Sequence, residues 1–407
     1  MNIILCVTGS IAAIESIKLA RELRRQDFNV KSFMSSSATK IIHPNSMEFA
    51  TGQEVVLDLT GNIEHVKYAD VDLILIAPAT ANIISKFAYK MADDSITSLL
   101  ITAYGMGTPI VFVPSMHDSM YKAIFENIEK IKLEASEDEI SFLKPRIDEG
   151  KAKFPYIEDI VLESKRIISL NQYKNNDNNL YKDNDNNQLD KNLNLAHKKV
   201  LITLGGTYEA IDPIRGITNK SSGKMGLELA KELYSRGMDV KIIAAHIDVN
   251  MPKCLDVIYV ESSEEMNNKT KELIKDYDVF IATAAVSDFA PIHKKDSKIS
   301  SSLDLSLEFK ATEKIIRQIK DIHPDVFLVG FKAEYNISEE KMVELARKQI
   351  EEAGTDLVVA NDLSVKGSGF GSDDNQVILI DDNIKKVDLC SKREIAKIVV
   401  DKLTERL

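Results

Sequence analysis

The sequence predicts an α/β protein of two doubly wound domains. Three observations lead there. Continuous apolar runs alternate with helical patterns over residues 2–130, the same alternation restarts at residue 199, and an asparagine- and aspartate-rich stretch separates the two. Apolar runs of this kind are strands buried on both faces, and the helices between them cover a parallel sheet.

In order, NIILCVT (2–8) reads as a strand and residues 10–26 as a helix. VDLILIA (71–77) is another strand followed by helical residues 81–103, and PIVFVP (109–114) is a third, followed by a helix through 130. Residues 171–196, NQYKNNDNNLYKDNDNNQLDKNLNLA, hold too few apolar side chains to offset the entropy of ordering. They read as a flexible linker between domains 1–170 and 197–407. Beyond it, KVLITLGG (199–206) is a strand and SGKMGLELAKELYSRG (222–237) a helix ending at glycine. DVKIIAA (239–245), DVFIATAA (278–285), DVFLVGF (325–331) and DLVVAN (356–361) are further strands.

The totals exclude several classes. At 407 residues the chain is long enough for roughly two or three domains. A net charge of −11 argues against a nucleic-acid partner, because phosphate neutralisation needs a clustered basic face. Cys6, Cys254 and Cys390 are far apart without a CxxC pair, which reads as reduced thiols in a cytoplasmic protein. The apolar N-terminus lacks a basic leader, and no apolar run is long enough to span a bilayer, so no membrane partner is expected. The seven histidines are scattered, and no metal site is expected.

The segment TNKSSGKMG (218–226) looks like half of a nucleotide-binding loop. It is not a Walker A loop, because Thr218 stands where a glycine is needed and Met225 where a magnesium-binding hydroxyl is needed. GGT (205–207) after a strand and SSG (221–223) before a helix still suit an anion. A plain turn with a serine N-cap fits the spacing equally well.

GGTYEAIDPIRGITNKSSGKMG (205–226), AAVSDFAP (284–291) and VANDLSVKGSGFGSDDN (359–375) together resemble phosphopantothenate–cysteine ligase. GSIAAIES (9–16), APATAN (77–82), MADD (91–94) and PSMHDSMY (114–121) resemble the flavin-dependent phosphopantothenoylcysteine decarboxylases. Fused in this order, the halves resemble the bifunctional coenzyme A biosynthesis family. The resemblance implies a flavodoxin-like flavoprotein domain followed by a Rossmann-like ligase domain.

For the ligase half it implies that 4′-phosphopantothenate attacks CTP to give an acyl-cytidylate, from which cysteine displaces CMP, with Mg²⁺ accompanying the nucleotide. Asn219 matches the asparagine that handles the acyl-cytidylate, and Lys298 in DSKISS matches a lysine of a mobile loop, with Lys294 and Lys295 as neighbours. Ala284, Ala285, Val286 and Asp288 match the nucleotide segment, Asp288 reading the exocyclic amine of cytosine. Thr312, Glu313, Lys314 and Ile315 match a loop that often reads Asn-Pro-Asp-Ile, and Phe331 matches a phenylalanine near the nucleotide. Lys348 lies near a position where the family carries lysine, and Ala353 replaces another.

For the flavin half, the resemblance implies FMN held by Gly9, Ser10, Ile11 and Ser35, with the amides of Ser10 and Ile11 on its phosphate. The missing GxGxxG argues against NAD. His65 is the base candidate, and Asn82 and His117 face substrate, His117 replacing the usual asparagine of PxMN. Ala92 to Asp94 match a flavin- and subunit-contact segment. The flap segment FLKPRIDEGKAKFP (142–155) has no thiol where the family carries a cysteine acid, and Lys144, Lys151 and Lys153 are candidates either for that acid or for binding the substrate phosphate. The resemblance also implies trimeric flavin domains and dimeric ligase domains, combining into a closed homo-oligomer as large as a dodecamer. The main alternative is an active ligase fused to a regulatory or impaired flavoprotein. A flavin prenyltransferase would leave the CTP motifs unexplained.

Overall fold

The structure is a computed structural model, and it describes residues 1–136, 138–148, 151–180, 196–300 and 306–407. The chain divides into two compact units, one on either side of residues 181–195. No helix of the described residues is long and apolar enough to cross a membrane.

The first unit is built on β1 (Asn2–Val7), β2 (Asn29–Met34), β3 (Leu73–Ala79), β4 (Ile110–Pro114) and β5 (Ile140–Phe142). All pair in parallel in the order β2-β1-β3-β4-β5, the flavodoxin-like order expected. Alternate side chains of β1 serve the two faces. Ile3, Leu5 and Val7 pack under α1 (Ala13–Arg25), α2 (Pro44–Thr51) and α8 (Ile157–Leu180). Ile4 and Cys6 pack under α4 (Ala81–Ala88), α5 (Ser95–Met106) and α7 (Phe125–Glu134). The short α3 (Glu64–Lys67) precedes β3, and α6 (Asp118–Ala123) follows β4. β6 (Arg146–Asp148) and β7 (Lys151–Lys153) form an antiparallel pair within the flap segment.

Two expectations for this unit need correction. Residues 81–103 are two helices, because Lys90 takes a left-handed conformation and Asp94 starts α5 with a capping box to Thr97. The linker reading began too early: α8 continues through Leu180, so residues 171–180 are helical, and residues 181–195 lie outside the described residues. Composition misjudged this stretch because a packed amphipathic helix can carry its last turns into polar sequence.

The second unit holds an eight-stranded sheet in the order β12-β11-β8-β13-β16-β17-β18-β19. Its parallel part is β8 (Lys199–Leu204), β11 (Asp239–Ala244), β12 (Asp256–Tyr259), β13 (Val279–Ala282), β16 (Phe327–Glu334) and β17 (Leu357–Asp362). Numbered along the chain these six run 3-2-1-4-5-6, the Rossmann-like order. β18 (Asp374–Ile380) and β19 (Ile384–Ser391) extend it antiparallel. Two small antiparallel pairs flank the sheet, β9 (Tyr208–Ala210) with β10 (Gly216–Thr218) and β14 (Phe289–Pro291) with β15 (Phe309–Ala311). Helices α9 (Lys224–Ser235) and α13 (Lys392–Thr404) cover one face, and α10 (Ser263–Leu273) and α11 (Ile315–Ile322) the other, alongside α12 (Glu339–Ala353). α9 lies so close to the sheet that a Cβ on Gly226 would fall 2.5 Å from Leu204 Cβ and 2.4 Å from Thr283 Oγ1. That glycine brings the SSGKMG helix start down onto the strand ends.

Candidate functional site

In an open α/β sheet the crevice for ligands forms beyond the strand ends where strand order reverses. In the second unit that point lies between β8 and β13, and a cavity of about 600 Å³ opens there. Asn219, Ala284, Ala285, Val286, Asp288, Thr312, Glu313, Lys314, Ile315 and Phe331 all line it. Asn219 is anchored by its own side chain, which donates to Ala285 O at 3.0 Å. Beneath it Thr207 is buried, and its hydroxyl accepts from the Ser287 amide at 2.9 Å, tying the GGT turn to the AAVSD segment. Lys314, the N-cap residue of α11, forms an ion pair with Asp288. Phe331 is half-buried, packed against the α9/α13 core and also exposed to the cavity.

Two of the residues named from the sequence are held by contacts of their own. The Glu313 carboxylate bonds to Asn267 at 2.8 Å and to Lys271 at 3.2 Å, both on α10, and these contacts hold it below the usual carboxylate range. It anchors the loop rather than offering a free carboxylate. Lys298 is not among the residues that line the cavity and sits on an exposed loop. The reason is local: the next residue, Ile299, donates its amide to Asp212 at 3.1 Å and accepts from Arg215 at 2.7 Å. Residues 301–305 lie outside the described residues. Asp212 is buried, which pushes its carboxyl up, but the amides of Ile214, Ile299 and Arg215 and the Arg215 guanidinium outweigh that and hold it well below the usual range.

Other residues of the cavity wall were missed. Lys224, Asn361 and Asn375 lay inside quoted motifs without a role, and Gln349 and Lys392 had no local signal at all.

In the first unit the reversal lies between β1 and β3. GSIAA follows β1 and leads into α1, whose N-cap, Ala12, supplies no side-chain cap. A Cβ on Gly9 would fall 2.4 Å from Ser37 Cβ, so glycine is required where this turn meets the serine turn after β2. The Ser10 amide is already bonded to Thr8 O at 2.8 Å and is not free for an anion, a correction to the expected amide pair. Its hydroxyl donates to Ser115 O at 3.3 Å, and Ser35 Oγ accepts from the Ala38 amide at 3.2 Å. The uncapped 13-residue helix, the Ile11 backbone and the serine hydroxyls form a donor set that fits a phosphate monoester.

Asn82 is exposed in the first turn of α4, just beyond β3, and His117 is exposed as the N-cap of α6, just beyond β4. His117 Nδ1 accepts from the Ser119 amide at 3.3 Å, so its neutral form carries the proton on Nε2. His65 stands on α3, and its buried Nδ1 has no partner among the described residues. The preceding Glu64 is fixed by Thr60, whose hydroxyl lowers its pKa. Cys6 is buried in β1, and burial pushes its thiol far up. Arg146, beside Lys144 in the flap, stacks on Tyr156 at 4.6 Å.

Residues 195–407 match the family model for the DNA/pantothenate metabolism flavoprotein C-terminal domain, and residues 1–169 match the Flavoprotein model. The chain is 45% identical to a coenzyme A biosynthesis bifunctional protein of Thermococcus kodakarensis, covering 100% of this chain and 95% of the relative. It is 37% identical to the protein of the same name from Methanocaldococcus jannaschii, covering 99% and 93%. The one from Bacillus subtilis is 33% identical, covering 97% and 94%. With both halves matched in this order and the identity sustained across them, the chain belongs to the family of coenzyme A biosynthesis bifunctional proteins.

Proposed function

We propose that the chain performs two consecutive steps of coenzyme A biosynthesis. The second unit joins 4′-phosphopantothenate to cysteine using CTP, and the first unit, with FMN, decarboxylates the product to 4′-phosphopantetheine. The observation that carries this reading is the cavity at the β8/β13 reversal, lined by every ligase residue named from the sequence except the loop lysines Lys294, Lys295 and Lys298.

In the ligase step the carboxylate of 4′-phosphopantothenate attacks the α-phosphorus of CTP and pyrophosphate leaves. The cysteine amine then attacks the acyl carbon and CMP leaves. Asp288 accepts from the cytosine amine, which frees Lys314 from its ion pair to meet phosphate charge. Asn219 spends one N–H on Ala285 O and keeps the other for the acyl-cytidylate. Lys298 is a loop cation that reaches the site when the loop closes. Mg²⁺ arrives with the triphosphate, and the described residues hold no cluster of three metal-ligating side chains.

In the flavin step, bound FMN supplies a temporary two-electron sink that lets a cysteine carboxylate leave as carbon dioxide. Gly9, Ser10, Ile11 and Ser35 hold its phosphate end. His65 moves the substrate proton, and Asn82 and the Nε2–H of His117 orient the substrate carboxylate. Lys144, Lys151 or Lys153 supplies the final proton. The absence of a thiol from 142–155 favours one second reading, a working ligase beside an impaired flavoprotein unit.

The protein acts in the cytoplasm as a homo-oligomer of trimeric first units and dimeric second units. Exposed Ile11 and Phe49 on the first, and Ile214 and Phe289 on the second, support such contacts. An isotope experiment tests the ligase chemistry. 4′-Phosphopantothenate labelled with ¹⁸O in its carboxylate should deliver one labelled oxygen to CMP. Label found in pyrophosphate instead would refute attack at the α-phosphorus.

A further inference from the structure

The flap of the first unit carries a cation that no described residue neutralises. The base of the flap is fixed at both ends. Leu143 donates its amide to Phe112 O at 3.0 Å, and the Phe142 ring stacks on Phe112 of β4 at 4.8 Å. Leu143 and, at the far end of the flap, Phe154 are buried in the core under α1 and α8. Arg146 therefore opens β6 just beyond a held position. Strands β1, β3, β4 and β5 are parallel, so the flap leaves the same edge of the sheet as GSIAA, APATAN and PSMH.

Arg146 has no hydrogen-bond or ion-pair partner among the described residues, and its Nε is buried without an acceptor. Its guanidinium lies over the exposed ring of Tyr156, with Cζ 4.6 Å from the ring centroid. Stacking on an aromatic face fixes the plane of the guanidinium and leaves its edge, where the N–H groups point, for an acceptor. An enclosed N–H without an acceptor is costly, and an anion gripped in bidentate fashion at that edge satisfies it. The hairpin register sets Lys153 opposite Arg146, and basic residues outnumber acidic ones four to two between 142 and 155, which favours an anion at the flap.

We propose that Arg146, steadied by Tyr156, anchors the phosphate monoester of 4′-phosphopantothenoylcysteine in the flavin step. This rests on the flavin reading above. That substrate has an anionic group at each end, and two arguments choose between them. In that reading the reacting end lies at Asn82, beyond β3, and His117, beyond β4, whereas the flap leaves β5. With strands about 4.8 Å apart, β5 lies about 10 Å from β3, on the side away from the FMN phosphate turn after β1. The carboxylate must also lose its charge as carbon dioxide leaves. A bidentate guanidinium would hold that charge more strongly before reaction than in the transition state and slow the step. The phosphate keeps its charge throughout, so holding it leaves the chemical step alone. An arginine stays protonated at working pH, so Arg146 does not replace the missing acid.

The test uses the full chain loaded with FMN, given 4′-phosphopantothenoylcysteine or pantothenoylcysteine, the analogue without the phosphate. Two readouts are taken: carbon dioxide release, and the change in flavin absorbance on titrating each compound, which reports binding at the first unit. Arg146→Gln should raise KM for the phosphorylated substrate about 10- to 100-fold, shift its absorbance titration by the same factor and leave kcat within about twofold. The preference over pantothenoylcysteine should fall by that factor, with the constants for the analogue moved by less than about twofold. Arg146→Lys should recover part of the loss, because a point charge replaces a bidentate one. Tyr156→Leu should act in the same direction and less. Affinity for FMN, read from quenching of its fluorescence, should not change in any variant. Equal losses with both compounds would assign Arg146 to the carboxylate, weakened FMN would assign it to the cofactor, and no change in any constant would remove it from the site. Each of these overturns the proposal. A wild-type protein that shifts the flavin absorbance without releasing carbon dioxide defeats the decarboxylase reading, and the titrations still decide the subsite. A wild-type protein that does neither defeats both.

Discussion

At the scale of single residues, the proposed reading of cytosine by Asp288, which pairs with Lys314, is open to a direct test. Asp288→Asn keeps the shape but loses the charge that accepts from an exocyclic amine and pairs with Lys314. Its kcat/KM for CTP should fall about 10- to 100-fold, measured with the other substrates saturating. A second prediction concerns thiols. Cys6 is fully buried with its ionisation suppressed, while Cys254 and Cys390 are half-buried. Native alkylation should label Cys254, label Cys390 more slowly because burial and nearby carboxylates push its thiol up, and spare Cys6, as read by peptide mass mapping. The position of a site residue was legible where a local motif carried it, as for Asn219 and Asp288, which both line the cavity. It was not legible where burial comes from distant chain. Nothing near Lys392 announces that a loop some twenty residues earlier folds over its ammonium. Glu313 was legible as a loop residue, but its bonds to α10 depend on tertiary placement.

At the scale of elements, Asp212 binds the β9/β10 hairpin to the Lys298 loop through Arg215 and the Ile299 amide. Its lowered pKa means that this contribution is present above the ordinary carboxylate pKa and is lost only as pH falls through the lowered folded value. The tie should therefore hold unchanged from neutral pH down to about pH 4. Asp212→Asn should speed tryptic cleavage at Lys294, Lys295 or Lys298 at neutral pH. An unchanged cleavage rate would show that other contacts hold the loop. β1, β3, β4, β8, β11, β13, β16 and β17 were legible because they are continuous apolar runs, whereas β2, β5 and β12, at the edges of the parallel parts, were not read. β18 and β19 were not, since an antiparallel edge pair with Lys385, Lys386 and Asp388 facing outward lacks that signal. The break between α4 and α5 was hidden because both helices are apolar on their inner faces, and a capping box leaves little trace in an apolar pattern.

At the scale of the whole molecule, the two units repeat one design: a reversal of strand order, a glycine-bearing turn after the first strand and a helix start facing the crevice. The first is suited to a phosphate monoester at GSIAA, the second to phosphates at SSGKMG. The proposed assembly predicts that light scattering reports a mass several times the 45.5 kDa of one chain. A monomer would rule out sites shared between subunits. The most direct measurement of the central claim is mass spectrometry of the products formed from 4′-phosphopantothenate, cysteine, CTP, Mg²⁺ and FMN. Accumulation of 4′-phosphopantetheine with CMP is the expected result. Unchanged 4′-phosphopantothenate would contradict the account, and arrest at phosphopantothenoylcysteine would contradict its flavin half.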